Sequence, residues 1–146
     1  MRFWMIGLAA MLLVGSAFAA DTKDAEVSKK LVGTWQMKEA VLAGEALDAD
    51  TVKALQLEMT DGKYTLKGAE SPDKGMWVVR TGQKPFEMDV KGTDGPHKDQ
   101  SIQAIFELDG DKLRVCYDLS GQSRPKEFES KANTTVFLAT YERTKQ

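Results

Sequence analysis

The chain has 146 residues, 42% of them hydrophobic and 29% charged, with a formal net charge of -2. That is the size of one domain with enough apolar material for a core, and the lack of a basic excess argues against duplex nucleic acid or an anionic membrane as partner. One cysteine and one histidine exclude an internal disulfide framework and a Cys/His zinc cluster.

Met1–Ala20 reads as an export leader. Arg2 is a short positive start, Phe3–Val14 is apolar apart from Gly7, and Gly15-Ser16 break the run before the small-x-small Ala17-Phe18-Ala19. Cleavage is expected after Ala19, with Ala20 as the alternative, giving an exported protein, periplasmic or secreted. The apolar run is too short for a spanning anchor, so no membrane span is expected after cleavage. No cysteine at the cleavage point marks a lipoprotein. Residues 20–30 form a polar lead-in that suits a short helix.

The barrel-like region spans 31–143. Thr34–Val41 reads as a strand, followed by an Ala43-Gly44 turn and a helix over Ala49–Ala54 capped by Asp48. Leu55, Leu57 and Met59 then alternate with polar residues up to the Asp61-Gly62 hairpin turn. Tyr64 and Leu66, Gly75–Arg80, and Phe86-Met88-Val90 mark the following strands, with a loop at 92–99. Ile102, Ala104, Phe106 and Leu108 share a face, and Asp109-Gly110-Asp111 turns the chain. Leu113, Val115 and Tyr117 form the apolar face of the next strand, opposite Arg114, Cys116 and Asp118. A loop at 119–127 and a strand over Thr135–Arg143 complete the pattern. About eight strands without crossover helices imply an antiparallel sheet, and closure removes its edges. The expected fold is therefore all-β, an up-and-down barrel, with an open sandwich as the alternative.

Two stretches carry a resemblance. One is Leu31-Val32-Gly33-Thr34-Trp35 with Ala43–Leu47 and Asp61–Leu66. The other is Phe106–Tyr117 (FELDGDKLRVCY) with Arg124-Pro125-Lys126-Glu127-Phe128. Together they resemble a small exported lipocalin-like domain family of uncharacterised function, expanded in planctomycete bacteria, over about Val27–Arg143. Arg80–Asp89 departs from the family pattern in its turn and strand start. The resemblance implies a lipocalin-like (calycin) barrel in which Gly33 and Trp35 plug one end and Arg143 stacks over the indole.

For function, the leading expectation is a binding module for a small apolar or amphipathic ligand. Tyr64, Met76, Met88, Phe106 and Tyr117 are the candidate wall residues. Arg114 joins them if its strand turns the polar face inward to anchor a carboxylate or phosphate; burial of the apolar face places it outside instead. The alternative is a filled barrel whose 92–99 and 119–127 loops contact another exported protein. Arg124–Phe128 reads as a stiff connection in which Arg124 pairs a surface carboxylate and Phe128 returns to the core, with a lid as the other reading. His97, in a Gly/Asp/Pro loop, reads as solvated, and Cys116 as a buried small apolar side chain. No spacing singles out a carboxylate pair for acid–base work, so neither an enzyme, nor a cofactor, nor a metal site is expected.

Overall fold

Alternation and tight turns decide the architecture. The computed structural model describes residues 18–144; of the leader expected over Met1–Ala19, residues 1–17 lie outside them, and Phe18 and Ala19 belong to the first helix. Helix α1 (Phe18–Leu31) leads into β1 (Gly33–Leu42), the two-residue β2 (Glu45–Ala46) and α2 (Ala49–Ala54). Then come β3 (Gln56–Thr60), β4 (Lys63–Lys67), β5 (Asp73–Arg80), β6 (Phe86–Asp94), β7 (Ser101–Asp109), β8 (Lys112–Asp118) and β9 (Val136–Arg143). All pairings between these strands are antiparallel. β1 hydrogen-bonds to β9 as well as to β3, so β1 and β3–β9 close into an eight-stranded lipocalin-like barrel, with β2 as an extra strand on β1.

Local chemistry accounts for the elements. Asp48 caps α2, its Oδ1 accepting from Thr51 N at 2.9 Å and its Oδ2 from the Thr51 hydroxyl at 2.7 Å. The Asp61-Gly62 turn joins β3 to β4 in register Thr60–Lys63. In β1 the alternation changes phase at a bulge between Met37 and Glu39. Trp35 and Met37 are buried before it and Ala40 after it.

One end of the barrel is solid. Trp35, Phe106, Leu113 and Leu31 are fully buried there, and α1 lies across it with Val27 and Leu31 buried in the common core. Asp24 on α1 accepts from the backbone N and hydroxyl of Thr81 at 2.8 and 2.6 Å, tying the helix to the β5–β6 connection. The Trp35 indole donates to Leu31 O at 2.9 Å. The Arg143 guanidinium lies 4.2 Å from the Trp35 ring centroid, donates to Val32 O at 2.9 Å and to Lys30 O, and faces Asp111. Arg143 thus satisfies carbonyls at the C-terminal end of α1 that the helix itself leaves free.

A second layer covers part of the outer wall. Ile105 and Cys116 pair across β7–β8 and are buried, although their positions face away from the barrel interior. The segment 119–135 lies over this side: Cys116 Sγ is 3.8 Å from Glu129 O, and the Arg114 guanidinium sits 4.2 Å from the Phe128 ring centroid. Arg124 donates to Met88 O and Ala104 O at 3.2 and 2.8 Å and pairs with Asp89 at 2.5 Å and Glu87 at 3.5 Å. This is a pinned connection, with a charge pair where the sequence placed one. Phe128, expected in the core, packs outside it under Arg114, because the strand face beneath 119–135 is the outer one. Burial raises the Cys116 thiol pKa, against smaller lowering effects from its contact with Glu129 and from Arg114. A thiol reagent should therefore modify Cys116 slowly in the native protein and at the rate of a free thiol in urea. Equal rates in the two states would show that the 119–135 cover is open.

Candidate functional site

The other end of the barrel is hollow. A cup of about 260 Å³ is bounded by Leu42, Leu47, Leu57, Leu66, Val90, Leu119 and Phe137, and by Tyr64, Tyr117, Tyr141, Asp73 and His97. It lies opposite the Trp35 plug because β1 enters at Trp35 and reaches the rim at Leu42, while β9 runs the other way from Phe137 to Arg143. The volume is just under the usual range of about 300–1,000 Å³ for ligand pockets, so only a small molecule fits. A larger depression of about 550 Å³ on the outer wall includes Met76, Val78, Asp89 and Arg124 among its lining residues. Among its charged residues, Asp89 and Arg124 are already paired with each other, whereas the cup lies inside the barrel, which makes the cup the better candidate.

Glycines make room at the rim. Gly75 and Gly92 pair across β5–β6. A Cβ at Gly75 would stand 2.6 Å from the Tyr64 hydroxyl and ring edge, and one at Gly92 would stand 1.9 Å from His97 O. Their bare backbones admit the Tyr64 ring and let the 95–100 loop fold back, closed by Asp99 N to Gly92 O at 2.9 Å. That fold-back brings His97 Nδ1 to 2.8 Å from Asp73 Oδ2. Asp73 Oδ1 is buried and has no hydrogen-bond partner among the described residues.

The tyrosines act as neutral hydrogen-bonding groups. Burial pushes the Tyr141 phenol up to about 12. Burial raises Tyr117 well above its ordinary value, with the proximity of Tyr141 adding to it through a shared hydrogen bond. Tyr64 is raised far above its ordinary value by burial first and the Asp73 carboxylate second. Tyr117 also stacks on Phe137, centroids 6.0 Å apart.

The structure divides the six wall candidates. Tyr64 and Tyr117 line the cup. Met88 and Phe106 point inward but belong to the solid core. Met76 is 53% exposed, beside Val78 on the outer face of β5, because inward positions there fall to Gly75, Trp77 and Val79. Arg114 faces outward, 3.0 Å from Glu107 and over Phe128, because Leu113 and Val115 take the interior. Both are removed from the wall. Sequence reasoning missed Asp73 and His97; the only local signal was the glycines flanking the His97 loop. It likewise missed Tyr141, whose strand parity was available from Trp35–Arg143 closure only.

No group of three or more His, Cys, Asp or Glu side chains able to hold a metal occurs among the described residues, and no described helix is long and apolar enough to cross a membrane. No protein-family model matches the chain, and no curated protein matches it.

Proposed function

We propose that the chain is an exported binding module that holds one small apolar or amphipathic molecule in the open half of its barrel. The observation that supports this reading is the apolar cup itself, walled by Leu42, Leu47, Leu66, Leu119 and Phe137 at the end opposite the plug. An eight-stranded barrel has space either for side chains or for one small ligand, and this chain divides its interior between the two. Apolar surface left unfilled at the mouth is stabilised by an occupant at about 25 cal/mol per Å² removed from water. The export leader read at Met1–Ala19 places this activity in the cell envelope or outside it.

The test is native mass spectrometry of protein purified from the exported fraction of its host, beside a Leu119→Trp variant that fills the cup. The expected result is a reproducible mass increment in the wild type that disappears on denaturation. The variant should lack the increment and melt within a few degrees of the wild type. A bare wild-type mass after gentle purification, or the same increment on both proteins, overturns the cup as the binding site. The bare mass would favour contacts made by the 92–99 and 119–127 segments.

A further inference from the structure

We propose that the cup selects ligands carrying a protonated amine, with the ammonium pairing with the Asp73 carboxylate and the apolar body lying among Leu42, Leu47, Leu119 and Phe137. The inference rests on the cup being a ligand site and specifies its chemistry. The carboxylate of Asp73 is divided in its partners. Oδ2 takes the His97 ring nitrogen at 2.8 Å, while Oδ1 is buried and unpaired among the described residues. A buried acceptor without a donor is costly, and native proteins keep few of them. The neighbouring 95–100 loop supplies no donor to it: that loop is held by backbone bonds to Gly92, and its histidine is already used on the other oxygen.

The rest of the wall fits the same cation. Apart from the tyrosine phenols, Asp73 and His97 are the cup's ionisable side chains, so neither a lysine nor an arginine there competes for the carboxylate. Tyr64, Tyr117, Tyr141 and Phe137 present aromatic rings to the same space, and aromatic faces attract ammonium groups. A ligand carboxylate would meet Asp73 with no wall Lys or Arg to receive it. An alcohol would reach Asp73 with a neutral hydrogen bond, which is roughly half as strong as a charge-assisted one.

Three molecules of nearly equal size separate these cases: 2-phenylethylamine, 2-phenylethanol and 3-phenylpropanoate. They are titrated calorimetrically at pH 7 into the exported protein, stripped of co-purified molecules, and into its Asp73→Asn and Leu119→Trp variants. The amine should bind the wild type about tenfold or more tighter than the alcohol, with the carboxylate weakest. In Asp73→Asn the amine should fall to within about twofold of the alcohol, whose own affinity stays as in the wild type, and Leu119→Trp should weaken both. Equal binding of amine and alcohol by the wild type overturns the proposal and leaves the cup as a ligand site. An amine preference that survives Asp73→Asn overturns the assignment to Asp73. If none of the three binds, the proposal and the cup reading fall together. The wild-type series decides the selectivity by itself, even if Asp73→Asn fails to fold.

Discussion

Replacing Trp35 by alanine should lower the unfolding free energy by about 3–5 kcal/mol, the usual cost of removing a buried large aromatic ring. The indole is fully buried and three elements meet on it. Its Nε1 donates to Leu31 O at the end of α1, its ring carries the Arg143 guanidinium, and its backbone pairs with Leu57 of β3 and Arg143 of β9. The alanine variant leaves a cavity, orphans the Leu31 carbonyl and removes the surface on which Arg143 rests. Trp35→Phe separates these effects, since it keeps an aromatic face and loses the donor; about 1–2 kcal/mol is expected. Arg143→Met should cost about 2 kcal/mol, because it withdraws donors from the Lys30 and Val32 carbonyls. Urea denaturation of the three variants checks the order. A Trp35→Ala midpoint equal to the wild type would show that the plug carries no stability.

Asp118 is expected to give the second large effect, and one that depends on pH. It is buried at the end of β8 and holds both ends of the 119–135 segment. Its Oδ1 accepts from Ser120 N at 3.0 Å, the Ser120 hydroxyl at 2.7 Å and the Thr135 hydroxyl at 2.8 Å, and its Oδ2 accepts from the Ser123 hydroxyl at 2.8 Å. Burial alone would raise the carboxyl, but the hydrogen bonds from Ser120, Ser123 and Thr135 together outweigh it and hold the pKa down to about 2. In the unfolded chain an aspartate titrates near 3.9. A depressed native pKa means that folding favours the charged form, so the stabilisation is complete above the unfolded value and is lost as pH falls from about 4 toward 2. Asp118→Asn should cost about 2 kcal/mol at pH 7, and the wild type should approach the variant as the pH is lowered toward 2. Urea midpoints at pH 7, 4 and 2.5 test this. A gap that stays constant over the series would mean that the charge of Asp118 contributes nothing.

Strands with one apolar phase were legible from sequence. Leu113, Val115 and Tyr117 point inward as their alternation requires, and the helix after Asp48 begins where its cap does. β5 was not legible in phase, because Met76, Trp77, Val78 and Val79 are all apolar and both parities look burial-competent. Gly75 carries no side chain to break the tie. Only pairing with β6, where Val90 faces Trp77 and Met88 faces Val79, turns Met76 outward. The loop expected from residue 92 starts later for a related reason: Gly92 stays in β6 opposite Gly75, a role its residue type does not advertise. The polar half of the candidate site was hidden by distance. Asp73 and His97 are 24 positions apart, and their meeting depends on a backbone fold-back that hydropathy does not encode. Arg124 was legible as one half of an ion pair; that it also caps two strand carbonyls was not.

The seam between β1 and β9 runs from Trp35–Arg143 to Leu42–Phe137, joining the beginning of the barrel to its end. Contacts this far apart in sequence form late, since the whole intervening chain must be ordered first, and such topologies fold slowly. During synthesis the chain can complete neither its plug nor its cup until residues 136–143 arrive. A chain halted before Val136 would expose unpaired edges on both β1 and β8, and two open edges in one molecule are a template for chain-to-chain strand pairing. The last strand therefore guards solubility as well as shape.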